Sequence, residues 1–326
     1  MRTVLTALCV LVLTMLSSTD GTAQTLPGQP GIEVQLLDIP TATQQDPRAR
    51  AYIVDHLPPG TVINRRIQIR NNSDSPQSVR IYTGAAHIDN GIFVGDNDPS
   101  MNELTTWTSV DQSTIDLPPR GAAEAVVTID VPKDAAEGEQ YGAVWAEIRS
   151  AAAQGSNIVQ ASRAGIRIYL SVGAGNGTPA DFAITSLTTS RDDHGKPQVS
   201  ALVTNIGGRA VDITGELTLT KGPGGLSAGP FTPQQGATIA PGGTGTIVTT
   251  MARELPNGPW TAQLRLKSGL LERSTEAPIT FPDAGMGETV EPHKSNVLKI
   301  ALGTAALLVI AAAVLWWLRR RTKQQS

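Results

Sequence analysis

Tyr141, Trp145, Glu147 and Arg149 occupy alternate positions in the run YGAVWAEIRS (141–150), set against Val144, Ala146 and Ile148. If that run is a β-strand, one face is aliphatic and the other carries both large aromatics together with the charges. The alternation recurs twice. In SVRIYTG, Val79 and Ile81 alternate with Arg80 and Tyr82; in GIRIYLSV, Ile166, Ile168, Leu170 and Val172 alternate with Arg167, Tyr169 and Ser171. On one sheet, Tyr82, Tyr141, Trp145 and Tyr169 would form an outward patch edged by Arg80, Glu147, Arg149 and Arg167. Aromatic rings stack on the apolar faces of sugars, and Arg and Glu hydrogen-bond hydroxyl and carboxyl groups, so these eight residues are candidates for glycan binding. Three other uses of the same rings stay open: cross-strand aromatic pairs, cover by the 86–107 loop or a neighbouring domain, and contact with a protein partner.

Other constellations carry less. GLSAG (225–229) matches Gly-x-Ser-x-Gly with Ser227 at the nucleophile position, but that motif needs a strand before the serine and a helix after it, and Pro230 and Pro233 follow at once. His194, beside Asp192 and Asp193 in RDDHGKP, reads as part of a turn. No catalytic residue is assigned, and an enzyme is not expected. Asp89, Asp96 and Asp98, with Asn90, Asn97 and Glu103 nearby, are weak candidates for Ca²⁺, but their spacing is not that of an EF-hand and Asn-Gly is ordinary turn chemistry. The histidines at 56, 87, 194 and 293 are scattered and His-Glu-x-x-His is absent, so neither zinc nor any cofactor is expected. NNS at 71 and NGT at 176 are formal glycosylation sequons that also read as turns.

The elements that must position these residues are short alternating runs between Gly, Pro, Asn and Asp clusters, which predict an all-β chain of two immunoglobulin-like β-sandwiches in tandem. The first spans 31–174, with strands in GIEVQLL, VINRRIQIRN, SVRIYTG, AEAVVTIDVP, YGAVWAEIRS and AGIRIYLSV. A linker at 175–180, inside GAGNGTPAD, leads to a second sandwich at 181–282. There Trp260 shares a face with Ala262, Leu264 and Leu266 and is expected in the core. Two phrases recur between the halves. RRIQIRNNSDSPQSVRIYTG and VSALVTNIGGRAVDITGELTL both read as strand, Asn-containing turn, strand; LPPRGAAEAVVTIDV and IAPGGTGTIVTTM both read as a Pro-Gly turn followed by a β-branched strand.

The chain ends carry targeting signals. Residues 1–23, with Arg2, an apolar run from Val4 to Leu16 and small residues Gly21 and Ala23, read as a secretory signal peptide. The sole cysteine, Cys9, falls inside it, which leaves the mature chain without disulfide, thiolate or Cys-ligated metal chemistry. The uncharged run 300–318, followed by Arg319, Arg320, Arg321 and Lys323, predicts a transmembrane helix with a basic cytoplasmic tail at 319–326 and a polar juxtamembrane linker at 283–296. Signal and tail hold six of the 26 Lys and Arg and one of the 29 Asp and Glu, so the segment between them carries a net charge of −8. Nucleic-acid binding is therefore not expected. The expected topology is single-pass type I, with the bulk of the chain on the outer side of the cell membrane.

The order of signal peptide, a sandwich containing RIQIRNNSDSPQSVRIY, DVPKDAAEGEQYGAVWAEI and GIRIYLSV, a second sandwich, a transmembrane helix and a basic tail resembles the bacterial WxL-interacting protein family. The composition, rich in Ala, Gly and Arg and poor in Lys, is that of an actinobacterial-type relative. The resemblance implies a cell-surface protein whose first domain contacts peptidoglycan and whose second meets a wall-associated protein. The expectation is a non-catalytic envelope binding protein. The alternative is a chaperone-like or assembly-complex subunit that receives a strand from a secreted partner at a sandwich edge; a wall hydrolase is disfavoured.

Overall fold

The computed structural model describes residues 31–96, 100–149, 161–251 and 255–292. Its first half contains β1 (Ile32–Leu36), α1 (Pro47–Ala51), β2 (Ile53–Leu57), β3 (Val62–Asn71), β4 (Gln77–Asp89), β5 (Ile92–Gly95), α2 (Glu103–Trp107), β6 (Thr108–Val110), β7 (Thr114–Leu117), β8 (Ala122–Asp130), β9 (Gly138–Arg149) and β10 (Ala161–Val172). Period-two alternation sets their faces: in β3, Ile67 and Ile69 are fully buried while Arg66 and Arg70 point outward. One sheet runs β1-β3-β8-β6 and the other β2-β10-β9-β4-β5, with β7 also pairing with β4. Between them lies a core that includes Ile53, Ile67, Ile69, Val79, Ile81, Val127, Val144, Ile148, Ile166 and Ile168.

The chain crosses from one sheet to the other between β1 and β2. Asp46 caps α1 by accepting a hydrogen bond from the Arg48 backbone N–H, Pro47 fixes its first turn, and β2 then joins β10 in parallel. β2 pairs with β10 at Ile168–Val172 alone, whereas β9 pairs with it from Ala161 to Val172.

The second half contains β11 (Phe182–Arg191), β12 (Pro197–Asn205), β13 (Val211–Thr220), β14 (Ala228–Phe231), β15 (Ala237–Ile239), β16 (Thr244–Thr250), β17 (Trp260–Ser268), β18 (Leu271–Ile279) and β19 (Gly285–Val290). Its sheets run β16-β12-β11-β19 and β14-β13-β17-β18, with β15 also pairing with β13. Trp260 is buried in this core with Ala262, Leu264 and Leu266, and its indole N–H donates to the Pro256 carbonyl.

Two segments differ from the sequence reading. Part of the stretch expected as a juxtamembrane linker forms β19, an edge strand on β11, because Thr and Val residues there complete the ladder at Leu187 and Thr188. Part of the 86–107 loop is a β-hairpin, β4 to β5, turned by Asn90 and Gly91, both with positive φ as a tight hairpin turn requires. The expected signal peptide (1–23), membrane span (300–318) and basic tail (319–326) lie outside the described residues. Among the described residues no helix is long and apolar enough to cross a membrane.

Candidate binding surfaces: the outer face and edge of β10

The four aromatics expected to form one outward patch are divided between two places. Tyr141 and Tyr169 stand opposite each other on β9 and β10 and turn toward the second sandwich, where they join Tyr52 and Phe93. Ring centroids lie 6.0 Å apart for Tyr141–Tyr169, 5.2 Å for Phe93–Tyr169 and 5.7 Å for Tyr52–Tyr169, spacings of ordinary aromatic packing. Tyr169 is 2% exposed and has no ring face left for a sugar.

The seam is polar at its centre. Asp212 on β13 accepts hydrogen bonds from Arg48 Nε (2.6 Å), Thr238 Oγ1 (2.7 Å) and the Tyr169 hydroxyl (3.0 Å), and Arg167 Nη1 lies 3.7 Å away. Arg167 stacks its guanidinium over Phe93 and Tyr52. Nearby, Glu139 accepts from the Tyr141 hydroxyl and from the Ala210 backbone N–H of the second sandwich. Burial raises the Glu139 pKa, against the pull of those donors and of Arg48. Burial, with the Glu139 carboxylate beside it, likewise pushes the Tyr141 hydroxyl well above its ordinary value, and burial with Asp212 does so for Tyr169. The β4–β5 hairpin closes the seam through a backbone bond from Thr238 N–H to the Gly91 carbonyl, 2.7 Å.

The other five candidates gather on the distal half of the same sheet. Register sets Tyr82 beside Trp145 and Arg80 beside Glu147. The indole of Trp145 lies flat in a slot left by glycines: a Cβ added at Gly95 or Gly165 would sit 2.4 or 2.5 Å from its ring carbons. Arg163, beyond Gly165, places its guanidinium 4.3 Å from the indole, and Arg80 does the same over Tyr82 at 4.1 Å. Glu147 is the anion at the centre. Its side chain is 6% exposed and accepts from Arg149 Nε (2.6 Å) and the Tyr82 hydroxyl (2.9 Å), with Arg80 Nη2 at 3.6 Å. Burial opposes its charge, but Arg149, Tyr82 and Arg80 outweigh that and hold its pKa below the ordinary glutamate value.

The rim of this face is the open side of β10. From Ala161 to Arg167 the strand pairs with β9 on one side, and among the described residues none pairs with it on the other. The side chains turned inward along this rim are small, Ser162 and Ala164, both half-buried. β1 runs near β10 at the edge of the opposite sheet, and its Ile32 and Val34 are packed on the core yet half-exposed.

No protein-family model matches the chain, and no curated protein matches it in sequence. Solved structures similar to it include a chain of the Salmonella enterica SafA pilin–SafB chaperone complex, at 10% identity over 78% of this chain and 99% of that one, TM-score 0.43. The YadV chaperone is 10% identical over 76% of this chain and 99% of that one, TM-score 0.40. The E. coli chaperone DraB is 12% identical over 74% and 94%, TM-score 0.36. Likenesses at these values decide neither the activity nor the partner of this chain.

The remaining candidates stay apart. Ser227 precedes β14 rather than a helix, and His194 sits in a turn where its backbone N–H donates to Asp192. Asp96 is paired with His87 Nδ1 at 2.6 Å, Asp89 accepts from Asn90, and Asp98 lies outside the described residues. Among the described residues no three potential metal ligands cluster. Sequence reasoning missed Asp212, Arg48, Glu139 and Arg163. For Arg163 a signal existed, since it lies on the Trp145 face two residues before Gly165. For Asp212 none did, because a lone acid between inward Val211 and Ile213 is the ordinary outer residue of a strand.

Proposed function

We propose that this chain is a non-catalytic binding protein that takes an extended polypeptide segment as an added strand on the open edge of β10. One observation carries the reading: along Ala161–Arg167 of a core-forming strand, the backbone groups of alternate residues that point away from β9 have no ladder partner among the described residues. Such an edge is a template for another chain. The small inward residues beside it and half-exposed Ile32 and Val34 leave apolar surface for the alternate side chains of an incoming strand.

The sequence supplies the setting. A leader-like start and an apolar run ending in a basic cluster support a protein anchored in the cell membrane with its sandwiches on the envelope side. The resemblance to WxL-interacting proteins supports wall-associated proteins as partners. Peptidoglycan is the competing ligand for the Tyr82–Trp145 face, where Arg80 and Arg163 already cover the rings.

Hydrogen exchange of the full-length protein separates the two. Purified sacculi are added with and without their attached proteins. Strand addition predicts that sacculi bearing proteins slow exchange over 161–167 and leave β18 unchanged, while stripped sacculi leave both unchanged. Retention on stripped sacculi, with protection confined to β4 and β9 around Tyr82 and Trp145, would replace this reading with a glycan-binding one.

A further inference from the structure

We propose that the segment accepted by β10 is acidic on its outer face, with a carboxylate beside Arg163 and an aromatic or branched aliphatic side chain beside Gly165. This rests on the strand-addition reading and deepens it to a class of partner.

Alternation places Ala161, Arg163, Gly165 and Arg167 on the outer face and Ser162, Ala164 and Ile166 on the inner. An added strand therefore sets every second side chain against the Arg163–Gly165 row. Arg163 is exposed, and its guanidinium rests on the Trp145 indole. The carboxylate across the ladder from it, Glu147, is turned the other way and held by Arg149, Tyr82 and Arg80. Among the described residues the distal face carries Arg80, Arg149 and Arg163, with Glu147 buried between them and one exposed acid, Asp116 on β7, beside Ser78 at its margin. It is a basic patch on a segment whose net charge is −8, and charge complementarity on it favours an acidic strand. At Gly165 the rim has no side chain of its own, and the benzenoid edge of Trp145 overlies it. The indole fills the place of a Gly165 side chain, so a large side chain on the neighbouring strand packs against its benzenoid edge.

Two other occupants fit less well. A second copy pairing antiparallel about Gly165 sets Arg163 against Arg167 twice. Residues 24–30 include Pro27 and Pro30, whose nitrogens cannot donate to a ladder.

The test uses full-length protein and a labelled peptide, Thr-Val-Glu-Val-Phe-Val-Glu-Val-Thr, which reads alike in both chain directions. Comparison peptides replace both Glu by Thr or by Lys, or carry N-methyl groups on alternate amides of each face. Cross-strand charge pairs predict that the Glu peptide binds about fivefold or more tighter than the Lys peptide. Arg163→Thr should bring those two within about twofold of each other while the Thr peptide still binds. Equal binding of Glu, Thr and Lys peptides overturns the acidic assignment, and a Glu preference that survives Arg163→Thr overturns the placement of the carboxylate beside Arg163; both leave strand addition standing. Failure of all the unmethylated peptides, or equal binding of the N-methylated ones, overturns strand addition itself and this inference with it. A dimer that peptide does not dissociate assigns the edge to a second copy and overturns the acidic partner.

Discussion

Replacing Asp212 with Ala should loosen the two sandwiches from each other. Its carboxylate accepts from Arg48 and Tyr169 of the first sandwich and from Thr238 of the second, within 2.6 to 3.0 Å. Arg48 is the residue left exposed to loss: its side chain is 10% exposed, and among the described residues its buried Nη2 has no hydrogen-bond partner. Removing one member of a buried pair costs ~3–5 kcal/mol, chiefly because the other charge stays buried alone. Asp212 keeps 18% of its side-chain surface, so water reaches the site and the lower end applies, about 3 kcal/mol. Urea unfolding of Asp212→Ala, Arg48→Met and the double variant measures this directly. The double variant removes both charges, so its loss should fall short of the summed single losses by about 1.5 kcal/mol or more. Because the contact joins two cores, Asp212→Ala should also split or broaden the unfolding transition. Single losses that add within about 0.5 kcal/mol, or an Asp212→Ala loss below about 1 kcal/mol, would refute a buried, coupled clamp.

Gly165→Ala forces a methyl against Trp145 Cε3 and the Val144 carbonyl; the expected loss is ~1–3 kcal/mol, smaller in a Trp145→Ala background, and equal losses in both backgrounds would rule out the slot. Asn71→Ala and Asn205→Ala each strip a buried amide that donates to two carbonyls and accepts from a backbone N–H, so each should cost ~2–4 kcal/mol by thermal melting; a loss under about 1 kcal/mol at either would show that water takes over. Buried Glu147 and half-buried Glu139 should respond to acid in opposite directions. Glu147 has a depressed folded pKa, so its contribution is full above the unfolded value of 4.5 and disappears as pH falls through the folded one. Glu139 has a raised folded pKa, so its charge weakens the fold at neutral pH and that penalty is relieved as pH falls toward 4.5. Melting curves between pH 7 and pH 3 should therefore show Glu147→Gln losing most at neutral pH and Glu139→Gln gaining most there. Curves for both variants that run parallel to the parent would remove the coupling.

The strands that carry the cores were legible because their period-two pattern is strong: Val144, Ala146 and Ile148, or Trp260, Ala262, Leu264 and Leu266, needed no tertiary information to be placed inside. The same rule marked Tyr141, Trp145 and Tyr169 as outward-facing on their sheet, and they are. What it could not give is what lies over that side. Tyr169 is covered by groups around Asp212, a separation of 43 residues, and the packing of one sandwich on another leaves no periodic trace in either. Short edge elements such as β2, β14 and β19 also escaped notice, since three to six residues give too few alternations to stand out. The recurrent Asn turn was visible as a phrase, and its cause is physical. Asn71 and Asn205 end equivalent strands, each donating its side-chain amide to a carbonyl next to the turn that starts β8 or β16, and each donates its backbone N–H to the same corner: Asn71 to the Gly121 carbonyl, Asn205 to the Gly243 carbonyl.

That equivalence makes the difference between the two sandwiches informative. β9 and β17 occupy corresponding places, and each is followed by a strand that ends its sheet or nearly does, β10 and β18. β18 pairs with β17, and among the described residues nothing pairs with its other side. It carries Glu272, Arg273, Glu276 and Pro278, charges and a missing donor of the kind that keep an edge from recruiting another chain. Arg273 is further committed to Asp181 at 2.6 Å. β10 between Ala161 and Arg167 has less of this protection: no proline and no acid, and its two charges are Arg163, folded back on Trp145, and Arg167, stacked over Phe93 and Tyr52. β2 covers the far half of the same strand and stops at Ile168, where the seam with the second sandwich begins. An edge exposed by accident would be blunted as β18 is. An edge that among the described residues is left unpaired and small, beside a face carrying Arg80, Arg149 and Arg163, supports the proposed completion by another chain.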